Sequence, residues 1–124
     1  MVVLVTGSSK GIGSSIIKEF AKNKYDVIIN YNNDYKSALE LKEYVESTYK
    51  VNADIIKCDI SNEKEIIEMI NMVKSKYMIL DVLVNNAGCA LDNDIFSKTK
   101  DEFMKVLEVN LVGTFLVTDR KSVV

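Results

Sequence analysis

A chain of 124 residues has the size of one domain, and a hydrophobic content of 48% lets it bury a core and argues against disorder. Its 16 basic and 18 acidic residues are interspersed and leave a net charge of -2, which excludes a nucleic-acid or anionic-membrane surface built on bulk charge. There is no histidine, and Cys58 and Cys89 stand far apart, so no metal-ligand set is expected.

The stretch Val2 to Gly13, VVLVTGSSKGIG, runs as a β-rich segment to Val5, turns through Thr6 and Gly7, and enters a helical pattern past Gly11 and Gly13. Three of the chain's five glycines lie in it, where they suit a tight turn and close approach of backbone to a ligand. From Ser14 to Lys24 the residues Ile16, Ile17, Phe20 and Ala21 recur at helical spacing. Tyr25 to Tyr31 reads as a second strand followed by the turn formers Asn32, Asn33 and Asp34, and Tyr35 to Tyr49 as an amphipathic helix with Ala38, Leu39, Leu41 and Val45 on one side. Ala53 to Lys57 is a third strand ending at Cys58, Asp59 and Ile60. Ser61 or Asn62 then caps a helix that reaches about Tyr77, with Ile66, Ile67, Ile70 and Val73 on its core face. Leu80 to Val84 is a fourth strand that stops at Asn85, Asn86, Ala87 and Gly88. Beyond a polar loop, Thr99 and Glu102 form a capping box before a last helix over about Lys100 to Thr118.

Such alternation of strands and helices predicts parallel strands joined by right-handed crossovers. The expected fold is α/β, a Rossmann-type doubly wound parallel sheet with helices on both faces, in a single dinucleotide-binding domain over residues 1–124. Ligands of such sheets bind beyond the carboxyl ends of the strands. Four polar or glycine-rich stretches fall there: Thr6 to Gly13, Asn30 to Asn32, Cys58 to Ile60 and Asn85 to Gly88. No apolar run reaches membrane-spanning length and Met1 leads directly into the first strand, so a cytoplasmic protein with ordinary buried thiols is expected.

The spacing Thr6-Gly7-x-x-x-Gly11-Ile12-Gly13 differs from G-x-G-x-x-G. Together with NNAG at Asn85 to Gly88 it resembles the short-chain dehydrogenase/reductase family, whose cofactor loop reads TGxxxGIG and whose fourth strand ends in NNAG. The resemblance implies that Gly7, Ser9, Ile12 and their neighbours wrap the pyrophosphate and adenosine ribose of a nicotinamide cofactor. It also implies that Asp59 and Ile60 hold the adenine, and that Asn86, Ala87 and Gly88 line the ribose side. Asn110, in VNLVGTF, is the implied catalytic asparagine, which interrupts regular helical bonding and helps hold a water of the proton relay.

Cofactor choice is read from charge. The end of the second strand offers Asn30, Tyr31 and Asn32 with no carboxylate to repel a 2′-phosphate, and Asp34 is farther along. The resemblance makes Lys10 a basic residue of NADP-preferring relatives, so NADP (NADPH) is expected. The general likeness is to the branch that reduces 3-oxoacyl thioesters on acyl-carrier protein in fatty acid synthesis, and the family implies a homo-oligomer. Carbonyl reduction needs an acid and oxyanion donors. The family takes them from a serine and a Tyr-x-x-x-Lys pair, and no Tyr-x-x-x-Lys occurs within these 124 residues. The sequence thus reads as the amino-terminal, cofactor-binding part of such a reductase, incomplete at the C-terminal side of the sheet and inactive alone. A non-catalytic nucleotide-binding or regulatory module left by truncation is the alternative.

Overall fold

The computed structural model describes residues 1–90 and 94–124. Its elements in chain order are β1 (Val2–Val5), α1 (Gly11–Lys22), β2 (Asp26–Tyr31), α2 (Tyr35–Tyr49), β3 (Ala53–Lys57), α3 (Glu63–Tyr77), β4 (Val82–Val84), α4 (Lys100–Leu107), a π-helical stretch (Glu108–Gly113) and α5 (Thr114–Lys121). The four strands form one parallel sheet in the order β3-β2-β1-β4. The chain therefore reverses direction across the sheet between β3 and β4, which makes the carboxyl ends of β1 and β4 the switch point where α/β sheets take their ligands.

Alternation of side chains along the strands divides the core in two. Val2, Leu4 and Ile28 pack with Ile66, Met69, Ile70 and Val73 of α3 and Val117 of α5 on one face. Val3, Val5, Val27 and Ile29 pack with Ile17 and Ala21 of α1 and Ala38, Leu41 and Val45 of α2 on the other. The sheet is thus doubly wound, with two helical layers. A fully buried aliphatic side chain such as Ile17 or Ile66 contributes about 1.5–3 kcal/mol, so each layer is held by several such anchors.

Local chemistry sets the helix starts. Asp34 caps α2 by accepting from the Ser37 amide, Asn62 caps α3 through the Glu65 amide, and Thr99 with Glu102 completes the capping box of α4. Only part of the Leu80 to Val84 run is strand. Leu80 is buried, the Asp81 amide donates to the Val2 carbonyl at 3.1 Å while its Oδ2 accepts the Val2 amide at 2.7 Å, and strand pairing starts at Val82. Helix α1 begins at Gly11, three residues before Ser14, where its expected start lies. Cys58 is buried as expected, whereas Cys89 is only half-buried, because it follows Gly88 on an open loop.

Strand β4 pairs on one side only and its three residues are half-buried. Phe103, Leu111, Val112 and Phe115 expose apolar surface on the helices beside it. Among the described residues no helix is long and apolar enough to cross a membrane, and no cluster of metal-ligating side chains occurs.

Candidate cofactor site

All four stretches singled out in the sequence meet at the carboxyl edge of the sheet. Gly7, Asn30, Asn32, Asp59, Ile60, Ala87, Gly88 and Cys89 line one cleft of about 300 Å³, which Lys105 and Val109 close from the α4 side.

The glycine loop is tied down from both flanks. On the β2 side, Asn30 is 1% exposed, and its Oδ1 accepts the Gly7 amide at 2.8 Å while its Nδ2 donates to the carbonyls of Ile56 (3.3 Å) and Cys58 (3.2 Å). Ser8 is fully buried, donates its hydroxyl to the Val5 carbonyl at 2.7 Å and accepts the Asn30 amide at 3.1 Å. On the β4 side, Thr6 Oγ1 accepts the amides of Asn86 and Ala87, both at 3.0 Å, and Asn86 Nδ2 donates to the carbonyls of Thr6 (3.1 Å) and Gly7 (3.0 Å). Thr6 Oγ1, both polar atoms of the Asn30 side chain and Asn86 Nδ2 thus bond the backbone of the site and shape it.

The glycines divide the work. Gly7 adopts φ +59°, and a Cβ there would lie 2.9 Å from the Ala87 Cα. Gly13 brings α1 against the NNAG turn, since its Cβ would meet Asn86 Nδ2 at 2.6 Å and the Gly7 carbonyl at 2.7 Å. Gly11 has φ +62° but open space around it, with nothing within 4 Å of a Cβ. The loop is therefore packed underneath and open above. Helix α1 also lacks the side-chain cap that starts α2, α3 and α4, so its first amides and the positive end of its dipole face that space. An anion such as a pyrophosphate fits these donors, and Ile12, 76% exposed on the first turn, is positioned to cover it.

Asp59 Oδ1 accepts both the amide (2.9 Å) and the hydroxyl (2.7 Å) of Ser61. Burial pushes the Asp59 carboxyl up, but the two bonds from Ser61 and the charges of Lys105 and Lys57 outweigh it and hold the group below the usual carboxylate range. It is a fixed anion at neutral pH, suited to accept from an amino group. Ile60 is buried, and Gly113 packs so closely on it that a Cβ would lie 2.5 Å from both its carbonyl oxygen and its Cγ2.

Asn110 sits in the π-helical stretch, so the interruption of regular helical bonding falls where the sequence places it. Its Oδ1 accepts the Cys89 amide at 2.7 Å and its Nδ2 donates to the Cys89 carbonyl at 2.9 Å. This pair of bonds pins the loop that follows NNAG. Ser9 and Lys10 lie on the other side of the loop, in a groove shared with Gly11, Ser14, Lys18, Ser37 and Tyr44. Tyr31 is half-buried at the end of β2, edge-on to Tyr35.

Sequence reasoning missed Ser8, Lys105 and Val109. Ser8 and Ser9 are indistinguishable in a polar loop until the backbone decides which faces inward, and Lys105 and Val109 reach the cleft only through the packing of α4 and the π-helical stretch that follows it.

A doubly wound parallel sheet whose first turn is a glycine loop with uncapped helix amides is the architecture of the Rossmann class. The profile of the short chain dehydrogenase family matches residues 1–122, and the chain belongs to that family. It is 37% identical over 112 residues to the 3-oxoacyl-[acyl-carrier-protein] reductase FabG of Staphylococcus aureus (strain Mu50), covering 90% of this chain and 45% of that protein. It is 34% identical over 114 residues to glucose 1-dehydrogenase 2 of Bacillus subtilis (strain 168), covering 91% of this chain and 44% of that one. Among solved structures, a mutant short-chain dehydrogenase/reductase of Serratia marcescens superposes with a TM-score of 0.92 at 26% identity, over 98% of this chain and 49% of its own. The chain thus spans about half the length of the relatives it matches.

Proposed function

We propose that this chain is the cofactor-binding part of an NADP-dependent short-chain reductase acting on a carbonyl, with a 3-oxoacyl thioester on acyl-carrier protein as the favoured substrate class. The observation that carries the reading is the glycine loop, packed by Gly7 and Gly13 and open at Gly11, set before the one uncapped helix start among α1 to α4. That combination fits a pyrophosphate, and Gly11 with its open surroundings serves no packing need. NADPH, when bound, supplies the hydride.

The residues of this chain bind and orient. Ser9 and the amides of Gly11, Ile12 and Gly13 hold the phosphates, and Thr6, Asn30 and Asn86 keep the loop in shape for them. The Asp59 carboxylate and the Ile60 backbone hold the adenine, while Ala87 and Gly88 line the ribose side. Lys10 offers its charge to a 2′-phosphate, which supports NADP over NAD. Asn110 fixes the Cys89 loop with both side-chain polar atoms, and its carbonyl, in the π-helical stretch, accepts from the Thr114 hydroxyl at 3.1 Å; the resemblance to the family supports a place for it beside a water of the proton relay. The oxyanion donors and the proton donor are not among these residues, because no Tyr-x-x-x-Lys occurs within them. The FabG relatives, at 37% identity against 34% for the glucose dehydrogenase, support the acyl thioester over a sugar substrate, and the family resemblance supports a homo-oligomeric, cytoplasmic assembly.

A second reading, a nucleotide-binding or regulatory module without turnover of its own, is favoured by the same missing pair. Fluorescence titration with NADPH and NADH tests the cofactor site that both readings share, and a reduction assay on a 3-oxoacyl thioester tests the expected lack of turnover by this chain. Saturable NADPH binding without turnover by this chain supports the cofactor site, and tighter binding of NADH contradicts the NADP assignment.

A further inference from the structure

The carboxylate that the strand end lacks is supplied from the next element. After Tyr31 the chain turns through Asn32 and Asn33 and returns Asp34 toward the glycine loop, where its Oδ2 lies 3.9 Å from the Lys10 ammonium. Ser37 holds Asp34 in place, its amide donating to Oδ1 at 3.0 Å and its hydroxyl to Oδ2 at 2.7 Å. These bonds from Ser37, aided by Lys10 and Lys36, keep the carboxyl below its ordinary range, so it is charged at neutral pH. Two hydrogen bonds also prevent it from swinging aside when another anion arrives.

The surrounding charges are few. Lys18 lies over the Tyr44 ring at 5.0 Å and Lys36 pairs with Glu40 at 4.0 Å, so Lys10 is the cation nearest the loop and Asp34 already claims it. We propose that Asp34 is a specificity-determining residue, a fixed carboxylate that competes with a 2′-phosphate for Lys10 and so narrows the chain's preference for NADP over NAD. The proposal rests on the NADP reading above. A 2′-phosphate must share Lys10 with Asp34 and meet a like charge, whereas a 2′-hydroxyl brings no charge and donates a hydrogen bond to a carboxylate.

The test uses the 124-residue chain with ADP-ribose and 2′-phospho-ADP-ribose, which carry the adenosine half of each cofactor and differ only at the 2′ position. Calorimetry compares wild type with Asp34→Asn, Asp34→Ser and Lys10→Ala. Asparagine and serine cap helices about as well as aspartate, so α2 survives the first two changes, which unchanged melting temperatures confirm. Removing the carboxylate is expected to tighten 2′-phospho-ADP-ribose about tenfold at low ionic strength and to leave ADP-ribose within about twofold, the gain shrinking at roughly 0.5 M salt. Equal changes for both ligands, or no gain, overturn the role of Asp34. If wild type prefers the 2′-phosphate and Lys10→Ala abolishes that preference while the Asp34 variants do nothing, this proposal fails and the NADP reading stands. A wild-type preference for ADP-ribose that the Asp34 variants leave unchanged overturns both.

Discussion

Asn30 stands at the strand end where dinucleotide-binding folds place a ribose-facing carboxylate, and its substitution by aspartate separates two accounts of that position. If Asn30 faces the ribose, Asn30→Asp strengthens NAD-type ligands and leaves the fold intact. The structure instead buries Asn30 as a clamp, accepting from Gly7 and donating to the carbonyls of Ile56 and Cys58. An aspartate keeps the acceptor, loses both donors and sets a buried negative charge beside two carbonyl oxygens. Each buried group left without its partner costs about 1–3 kcal/mol, so a loss of roughly 2–5 kcal/mol is expected at pH 7. That is a large share of the ~5–15 kcal/mol typical of a domain, and corresponds to a melting temperature lower by about 10–20 °C. The pH dependence has a definite sign. The folded-state pKa of the new carboxyl is raised above its unfolded value, so the penalty is fully present at pH values above the raised pKa. It is relieved as pH falls through that pKa, because the protonated acid regains one donor. Urea unfolding followed by circular dichroism at pH 5 and pH 7 reads both effects. An Asn30→Asp chain as stable as wild type at pH 7, with tighter ADP-ribose binding, would refute the clamp.

Three other consequences are open to direct measurement. Gly13→Ala and Gly113→Ala place a Cβ within 2.6 Å of Asn86 Nδ2 and 2.5 Å of Ile60, so each is expected to cost about 1–3 kcal/mol in denaturant unfolding, whereas Gly11→Ala meets no atoms and carries only the cost of its positive φ. Cys58 is buried and its thiol is pushed up to about 12 by that burial and by Glu65, so iodoacetamide followed by mass spectrometry should label half-buried Cys89 and spare Cys58, with NADPH slowing the reaction. Preferential labelling of Cys58 contradicts the packing of the cleft. The half-paired β4 and the exposed Phe103, Leu111 and Phe115 predict that the chain alone self-associates, and a monomer by analytical ultracentrifugation at tens of micromolar, roughly, would count against it.

Most of the architecture is legible in the sequence because its signals are local. Helical spacing of Ile66, Ile70 and Val73, the Thr99 and Glu102 box and the Asn62 cap each require only a few neighbouring residues. The parallel sheet follows from the alternation of elements, and the four strand ends converge because the topology leaves them no other edge. Less legible is what a polar residue does once it arrives there. Asn30 reads as a cofactor-facing residue at the strand end, and its part in holding the loop is not visible there, because its partners Gly7, Ile56 and Cys58 are distant in the chain. Asp34 reads as a distant cap and lies beside Lys10, because α1 and β2 carry the chain away from the sheet edge and back to it. Both differences depend on where backbone groups from separate strands come together, which spacing along one chain does not encode.

The central claim is that the edge formed by the glycine loop, Asp59 and the NNAG turn binds the adenosine and pyrophosphate of a nicotinamide cofactor. The measurement that tests it most directly is a titration of the 15N-labelled chain with NADPH, followed by amide chemical shifts. Saturable shifts concentrated at Gly7 and Gly11 to Gly13, at Asp59 and Ile60, and at Ala87 and Gly88 are the predicted result. A folded chain whose amides at those positions do not respond, or whose shifts gather on another face of the sheet, would contradict it.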